Sequence, residues 1–249
     1  MTVAAQALHH PACNLNRMTE EIDLITFDAG GTLFDMSPTR DEVFIDILSH
    51  RFPDLDETLV TGALAKADRV FDEEFAAQDG KNEKPFWKKF DAHVLSQLGM
   101  GDRTAEIHAE LDAAFREIIP RVDSWVQFPE TKRVLERIRK RDFRLGVISN
   151  ATDLTKRVMD NLDLTRYFDF VMVSEEVGVR KPSPEIFRMA AQKGGAALSR
   201  SLHVGDKFAV DVVGARRAGM NAVLLDRTHV YDDLDCIRSR DLDFFAAFV

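Results

Sequence analysis

Residues 21–35 read EIDLITFDAGGTLFD, and this stretch decides the fold. Ile22, Leu24, Ile25 and Phe27 form an apolar run rich in β-branched and aromatic side chains. That is the pattern of a strand buried in a parallel sheet. The run stops at Asp28, and Gly30-Gly31-Thr32 follow at once. A carboxylate at the carboxyl end of a buried strand, followed by a glycine turn, lies where open α/β sheets bind their ligands. The same residues also suit a capping Asp and a tight turn. The rest of the chain separates the two readings.

Beyond Asp35 the pattern turns helical and stays so to about Arg121. Val43, Phe44, Ile47 and Leu48 mark one apolar face. Leu55, Leu59, Leu64, Val70 and Phe71 predict a second helix, broken near Gly62. Phe86, Phe90, Val94 and Leu98 recur at helical spacing, and Gly99 ends that segment. Ile107, Leu111, Phe115 and Ile118 form a further stripe, stopped by Pro120. Residues 78–84, QDGKNEK, predict a polar loop. Trp87 is expected in the core of this helical unit. From Trp125 strands and helices alternate. Residues 143–148, 168–173, 201–204 and 222–225 read as strands, the last of these closing the sheet. Residues 131–141, 154–162, 185–192 and 210–218 read as helices. The basic run Arg137, Arg139, Lys140 and Arg141 reads as a solvated helix end rather than a nucleic-acid patch. Alternation of this kind implies right-handed crossovers and a parallel sheet.

The bulk numbers narrow the class. The chain has 249 residues, 45% hydrophobic and 30% charged, an ordinary globular balance with length for one large domain or two smaller ones. Its net charge of −9 argues against a general nucleic-acid binder, while a local cationic site for an anionic substrate stays compatible. Cys13 and Cys236 stand in no metal-ligand spacing, so no disulfide framework or zinc site is expected, and a cytoplasmic setting is. No apolar run approaches ~18 residues, so no membrane span is expected. Residues 1–19, with His9 and His10, predict a flexible tail rather than a signal peptide or a metal site.

Four predicted strand ends carry polar groups: Asp28, Ser149 with Asn150, the loop at Lys181, and Asp206 with Asp211. In a parallel sheet these ends share one edge. Asp28 and Asp206 suit a hard divalent cation such as Mg²⁺, and Asp211, five positions after Asp206, can reach the same centre. Lys181 supplies a point charge, and Ser149 a hydroxyl. Such a set suits phosphoryl transfer through an aspartate nucleophile. His203, inside a predicted strand, reads as a satisfied core histidine.

The four motifs resemble those of the haloacid dehalogenase superfamily. Asp28-Ala29-Gly30-Gly31-Thr32 is similar to its first motif, and Val147-Ile148-Ser149-Asn150 to its second. Arg180-Lys181-Pro182-Ser183-Pro184 resembles the third, and Gly205-Asp206 with Asp211 the fourth. The resemblance implies a Rossmann-like α/β core with a parallel sheet, over residues 20–36 and 123–249, and an inserted α-helical cap over 37–122. It implies Asp28 as nucleophile, Ser149 and Lys181 as catalytic partners, and Gly31, Thr32 and Asn150 at the substrate. It also implies Mg²⁺ held by Asp28, the Gly30 carbonyl, Asp206 and Asp211. The expected partner is a small phosphorylated metabolite, and the expected state a monomer or homodimer.

One departure stands out. Phosphatases of this superfamily usually carry a second Asp two positions after the nucleophile, as general acid and base. Here that position is Gly30. Losing a positioned acid/base typically costs about 10²–10⁴-fold in rate. Three explanations follow: a substrate with a good leaving group, an acid supplied from the cap or by Asp35, or an impaired relative that binds metal and phosphate. Branches lacking the second Asp include the 2-haloacid dehalogenases and phosphonate hydrolases. A phosphonate hydrolase would need a Schiff-base lysine, from Lys66, Lys81, Lys84, Lys88 or Lys89.

Overall fold

The computed structural model describes residues 22–77, 83–234 and 236–247. The expected tail with His9, His10 and Cys13, and Lys81 of the polar loop, lie outside the described residues. β1 (Leu24–Phe27) leads through the glycine turn into a short β2 (Phe34–Met36). The helices α1 (Arg40–Arg51), α2 (Glu57–Ala77), α3 (Glu83–Gln97) and α4 (Thr104–Ile118) follow. β3 (Trp125–Gln127) then returns antiparallel to β2, pairing Phe34 with Gln127 and Met36 with Trp125. After it come α5 (Thr131–Ile138), β4 (Arg144–Ser149), α6 (Leu154–Asn161), β5 (Phe170–Val173), α7 (Ser174–Val177) and α8 (Pro184–Gly194). β6 (Ser201–Gly205) leads into a wide π-helical turn (Phe208–Val213), which continues as α9 (Gly214–Ala218). β7 (Asn221–Leu225) and β8 (Arg238–Ser239) complete the sheet.

The sheet has six strands in the order β5-β4-β1-β6-β7-β8, all paired in parallel. The chain winds to one side of β1 and then to the other, so β1 lies at a topological switch point. Phe27 pairs with Val147 of β4 and with Val204 of β6. The Asp28 N–H extends the ladder, donating to the Val204 carbonyl at 2.8 Å. That register brings Asp28, Ser149 and Asp206 to nearly one level at the sheet edge.

The side chains of β1 alternate between two cores. Ile25 and Phe27 pack with Leu145, Val147, Val204 and the apolar faces of α5 and α6. Leu24 packs on the opposite side, against residues of α8 and α9. The helices α1 to α4 bury a separate core, with Phe44, Leu48, Leu64, Phe71, Phe90, Val94, Ile107 and Leu111 at its centre. Each such side chain contributes roughly 1.5–3 kcal/mol when fully buried. The helical segment opens on a capping box: the Thr39 hydroxyl accepts from Glu42 N–H at 3.2 Å, and Glu42 Oε2 accepts from Thr39 N–H at 2.7 Å.

Several local expectations are corrected. The helix with the expected break at Gly62 runs unbroken from Glu57 to Ala77. A glycine costs about 1 kcal/mol in a helix interior, and buried Val60, Ala63, Leu64 and Ala67 around it outweigh that. Leu59 and Val70 point outward, 58% and 48% exposed. Trp87 is half-exposed, lying edge-on to Phe86 and Phe90 rather than within the core. The strand at residues 222–225 is not the last, because β8 pairs beyond it. No described helix is long and apolar enough to cross a membrane.

Candidate active site at the sheet edge

Asp28, Asp206 and Asp211 converge at the carboxyl ends of β1 and β6, with one carboxylate oxygen from each inside a 4.8 Å circle of mutual distances. Lys181 reaches in from the loop before α8. Its Nζ lies 2.5 Å from Asp28 Oδ1 and 2.7 Å from Asp211 Oδ1, and its side chain is essentially inaccessible. Asn150 fixes that loop: its Nδ2 donates to the Lys181 carbonyl at 2.7 Å, and its Oδ1 accepts from the Lys181 N–H at 2.8 Å. The Asn150 side chain expected at the substrate is therefore committed to the lysine's backbone. Ser149 is buried at the end of β4 beside it.

Two glycines make the convergence possible. Gly31 has φ +77°, and a Cβ there would lie 2.6 Å from Asp206 Oδ2. A Cβ on Gly205 would lie 2.3 Å from Asp211 Cγ. Both carboxylates thus pack directly on backbone that tolerates no side chain. Gly30 differs, because a Cβ there meets nothing within 4 Å. No described residue donates to its carbonyl.

Gly31 and Thr32 also serve their own turn. Gly31 N–H donates to the Phe34 carbonyl at 2.8 Å and Thr32 N–H to the Ala29 carbonyl at 3.3 Å. Arg227, beyond β7, donates to the carbonyls of both residues at 3.3 and 3.0 Å, and pairs with Glu130 at 2.8 Å. The Thr32 hydroxyl is buried and has no hydrogen-bond partner among the described residues. Asp35, considered as a substitute acid, lies on β2, where its Oδ1 accepts from the Met36 N–H at 2.8 Å. Burial raises its proton affinity, opposed by that bond and by Arg40 and Lys207.

The charge balance is uneven. Burial pushes Asp28 up to about 7, with Lys181 opposing and Asp211 and Asp206 adding to the rise. Burial also raises Asp206, with Lys207 opposing. For Asp211 burial acts in the same sense, but Lys181 and His203 outweigh it and hold the carboxyl well below its usual range. Burial alone would lower Lys181, yet Asp211 and Asp28 keep it above an ordinary lysine. The cluster is short of positive charge. Hard oxygen donors at this spacing, with a deficit of cationic charge, fit a divalent ion such as Mg²⁺.

His203 is fully buried and hydrogen-bonded, as expected of a core histidine. It does more than fill the core: Nε2 lies 3.2 Å from Asp211 Oδ1, and Nδ1 lies 2.9 Å from the Thr26 hydroxyl. Burial keeps the ring neutral, so the consistent tautomer donates from Nε2 to Asp211 and accepts from Thr26. Lys207, unremarked in the sequence, stands 3.5 Å from Asp206 Oδ2 and 3.6 Å from Asp68 Oδ1 of α2. Its only sequence signal is its place inside the Gly205–Asp211 motif. Lys66 and Lys88 are exposed, and Lys89 pairs at the surface with Glu74. The Lys84 side chain lies outside the described residues. The lysine at Asp28 is Lys181, from the core.

A parallel sheet whose switch point carries an acidic, lysine-bearing edge defines an open α/β protein with its site at the carboxyl ends of the strands. The model of the haloacid dehalogenase-like hydrolases matches residues 22–219, and the chain belongs to this family. It is 26% identical to the mouse (Mus musculus) haloacid dehalogenase-like hydrolase domain-containing protein 3, over 82% of each chain. It is 35% identical to the phosphoserine phosphatase of Thermus thermophilus, over 57% of this chain and 55% of that one. Among solved structures, the magnesium-bound HAD-hydrolase YfnB of Bacillus subtilis shares the fold with a TM-score of 0.63 at 16% identity, covering 92% of this chain and 99% of that one. The 2-haloacid dehalogenase of Pseudomonas syringae matches with a TM-score of 0.52 at 26% identity, covering 91% and 97%.

Proposed function

We propose that the chain hydrolyses a small phosphorylated metabolite through an aspartyl-phosphate on Asp28, with Mg²⁺ as cofactor. The observation that carries this reading is the Asp28–Lys181–Asp211 contact beside Asp206, with Lys181 Nζ 2.5 and 2.7 Å from its two carboxylates. Asp28, Asp206, Asp211 and the Gly30 carbonyl would hold the ion, which supplies charge neutralisation for the transferring phosphoryl group. Lys181 holds one oxygen of Asp28, which orients the other for attack on phosphorus. The Asp28 oxygen forms the new P–O bond as the bond to the leaving oxygen breaks. Water then attacks the aspartyl-phosphate, releasing phosphate and restoring the carboxylate. Ser149 and the Lys181 ammonium offer donors to the phosphoryl oxygens. With Gly30 in place of a carboxylic acid, the leaving group departs as an anion, so good leaving groups such as acyl phosphates are favoured.

A panel of phosphorylated metabolites assayed with Mg²⁺ tests the reading. Asp28→Asn is expected to lower turnover at least about 10³-fold, the scale of losing a covalent nucleophile. Full activity in that variant would sink the proposal. The open space at Gly30 gives a second test, since an added Cβ there meets nothing within 4 Å. Gly30→Asp is expected to raise turnover about 10-fold or more on poor leaving groups and little on good ones. Equal gains on both would refute the leaving-group argument. The Pseudomonas syringae neighbour is a 2-haloacid dehalogenase, and halide release from a 2-haloacid by this chain without metal would replace the phosphatase reading outright.

A further inference from the structure

The wide turn Phe208–Val213 carries Asp211, and Lys207 at its start gives no side-chain capping bond. A carboxylate from the helical segment supplies the missing acceptor. Asp72 of α2, 5% exposed, accepts from Ala209 N–H at 2.8 Å and from Val210 N–H at 3.3 Å. These two amides lie between Asp206 and Asp211. The Tyr231 hydroxyl, beyond β7, donates to the same carboxylate at 2.9 Å. Tyr231 is itself pinned, because Asp226 accepts from the backbone N–H groups of Val230 and Tyr231 at 2.9 and 3.1 Å. One turn earlier on α2, Asp68 stands 3.6 Å from Lys207 Nζ. Asp72 lies 137 or more residues in sequence from these three partners, and a carboxylate buried this far is matched by the hydrogen bonds it accepts here.

We propose that Asp72 is a positioning residue for the 206–211 ligand loop. Seated on the two amides, it holds Asp206 and Asp211 at the separation a divalent ion needs, and it links the seating of α2 to the order of that loop. The proposal rests on the reading that Asp206 and Asp211 hold the ion. Asp72 bonds the amides of Ala209 and Val210 rather than the side chains of Asp206 or Asp211, so its effect passes through the backbone of the loop. Support of this kind around a metal site typically sets 10–100-fold in affinity.

The test titrates Mg²⁺ alone into the full chain by calorimetry, for the wild type, Asp72→Asn, Tyr231→Phe and Arg69→Ala. Arg69 pairs with Asp233 at 2.5 and 2.7 Å from the same helix, is exposed, and does not touch the loop. It therefore reports loosened α2 docking without loss of the loop contact. Asp72→Asn is expected to raise the Mg²⁺ Kd about 10-fold, Tyr231→Phe about threefold, and Arg69→Ala less than about twofold. Hydrogen exchange of residues 207–213 without metal is expected to speed up in Asp72→Asn and to stay unchanged in Arg69→Ala. An unchanged Kd in Asp72→Asn, or an equal rise in Arg69→Ala, would overturn the proposal. Should Asp72→Asn not fold, an unchanged Kd in Tyr231→Phe overturns it equally. A wild type that binds no Mg²⁺ refutes the metal reading, and the exchange arm then decides whether Asp72 orders the loop.

Discussion

Two charged clusters lie close together in this molecule, and they are built differently. At the sheet edge, Asp28, Asp206 and Asp211 gather around Lys181, with Lys207 only at the rim. At the boundary with the helices, Arg40 grips Asp68 through two parallel bonds of 2.6 Å, and Asp41 and Lys207 flank the pair. In the first, burial and crowded carboxylates raise Asp28 and Asp206. In the second, burial would raise Asp68, but Lys207 and Arg40 overcome it and lower the carboxyl. Both clusters set carboxylates against basic side chains. Charge count and burial leave one cluster short of positive charge and the other balanced.

The sharpest way to break that contrast is to remove Lys181. Lys181→Met strands two buried carboxylates, and breaking such a buried pair typically costs about 3–5 kcal/mol. Denaturant titration in EDTA is expected to show a loss on that scale, with saturating Mg²⁺ restoring part of it. An equal loss with and without Mg²⁺ would mean that the cluster has no use for a second cation.

Asp72 sharpens the comparison, because it lies at the boundary yet has the charge character of the sheet edge. Burial pushes it from 3.8 up to about 6, against the Ala209 N–H, Lys207 and the Tyr231 hydroxyl, with Asp211 adding to the rise. The folded chain then binds this proton more tightly than the unfolded one. Its contribution to stability is therefore greatest below about pH 4 and falls as pH rises through about 6. A tenfold change in proton affinity is worth about 1.4 kcal/mol, so the displacement amounts to up to about 3 kcal/mol. Measured in EDTA, Asp72→Asn is expected to gain on the wild type by up to that amount between pH 4 and pH 7. A difference constant with pH would refute the assignment.

The smallest effects come from a matched pair of variants. Asp206→Asn is expected to weaken Mg²⁺ binding at least about 10-fold. Asp68→Asn, in the balanced cluster, is expected to leave Mg²⁺ affinity within about twofold, because Asp68 is not among the three converging carboxylates. Equal losses of Mg²⁺ affinity in both variants would erase the distinction between the clusters.

Part of this was legible in the linear chain. The apolar run 22–27, ending at Asp28 and a glycine turn, marks a buried strand by composition and by its abrupt stop. The strand ends at Ser149 and Asp206 and the Lys181-Pro182 loop are legible for the same reason, since buried strands and turn residues leave local patterns. The ribbon of β2 and β3 left none. Each strand has three residues, and the partner of Phe34 is Gln127. The resemblance implies Asn150 at the substrate, and the linear chain does not show the Lys181 peptide that its amide holds.

The sequence by itself determined the alternation of buried strands and helices, the acidic strand ends, and the glycines that let carboxylates approach backbone. These are properties of residues and their near neighbours. Only the tertiary structure decided which charges balance which. Asp72 and Val210, or His203 and Asp211, meet through packing, and the energy of a buried charge depends on distances and desolvation that no single residue carries. The same holds at Gly30: the chain shows a missing carboxylate, and the fold shows open space in its place.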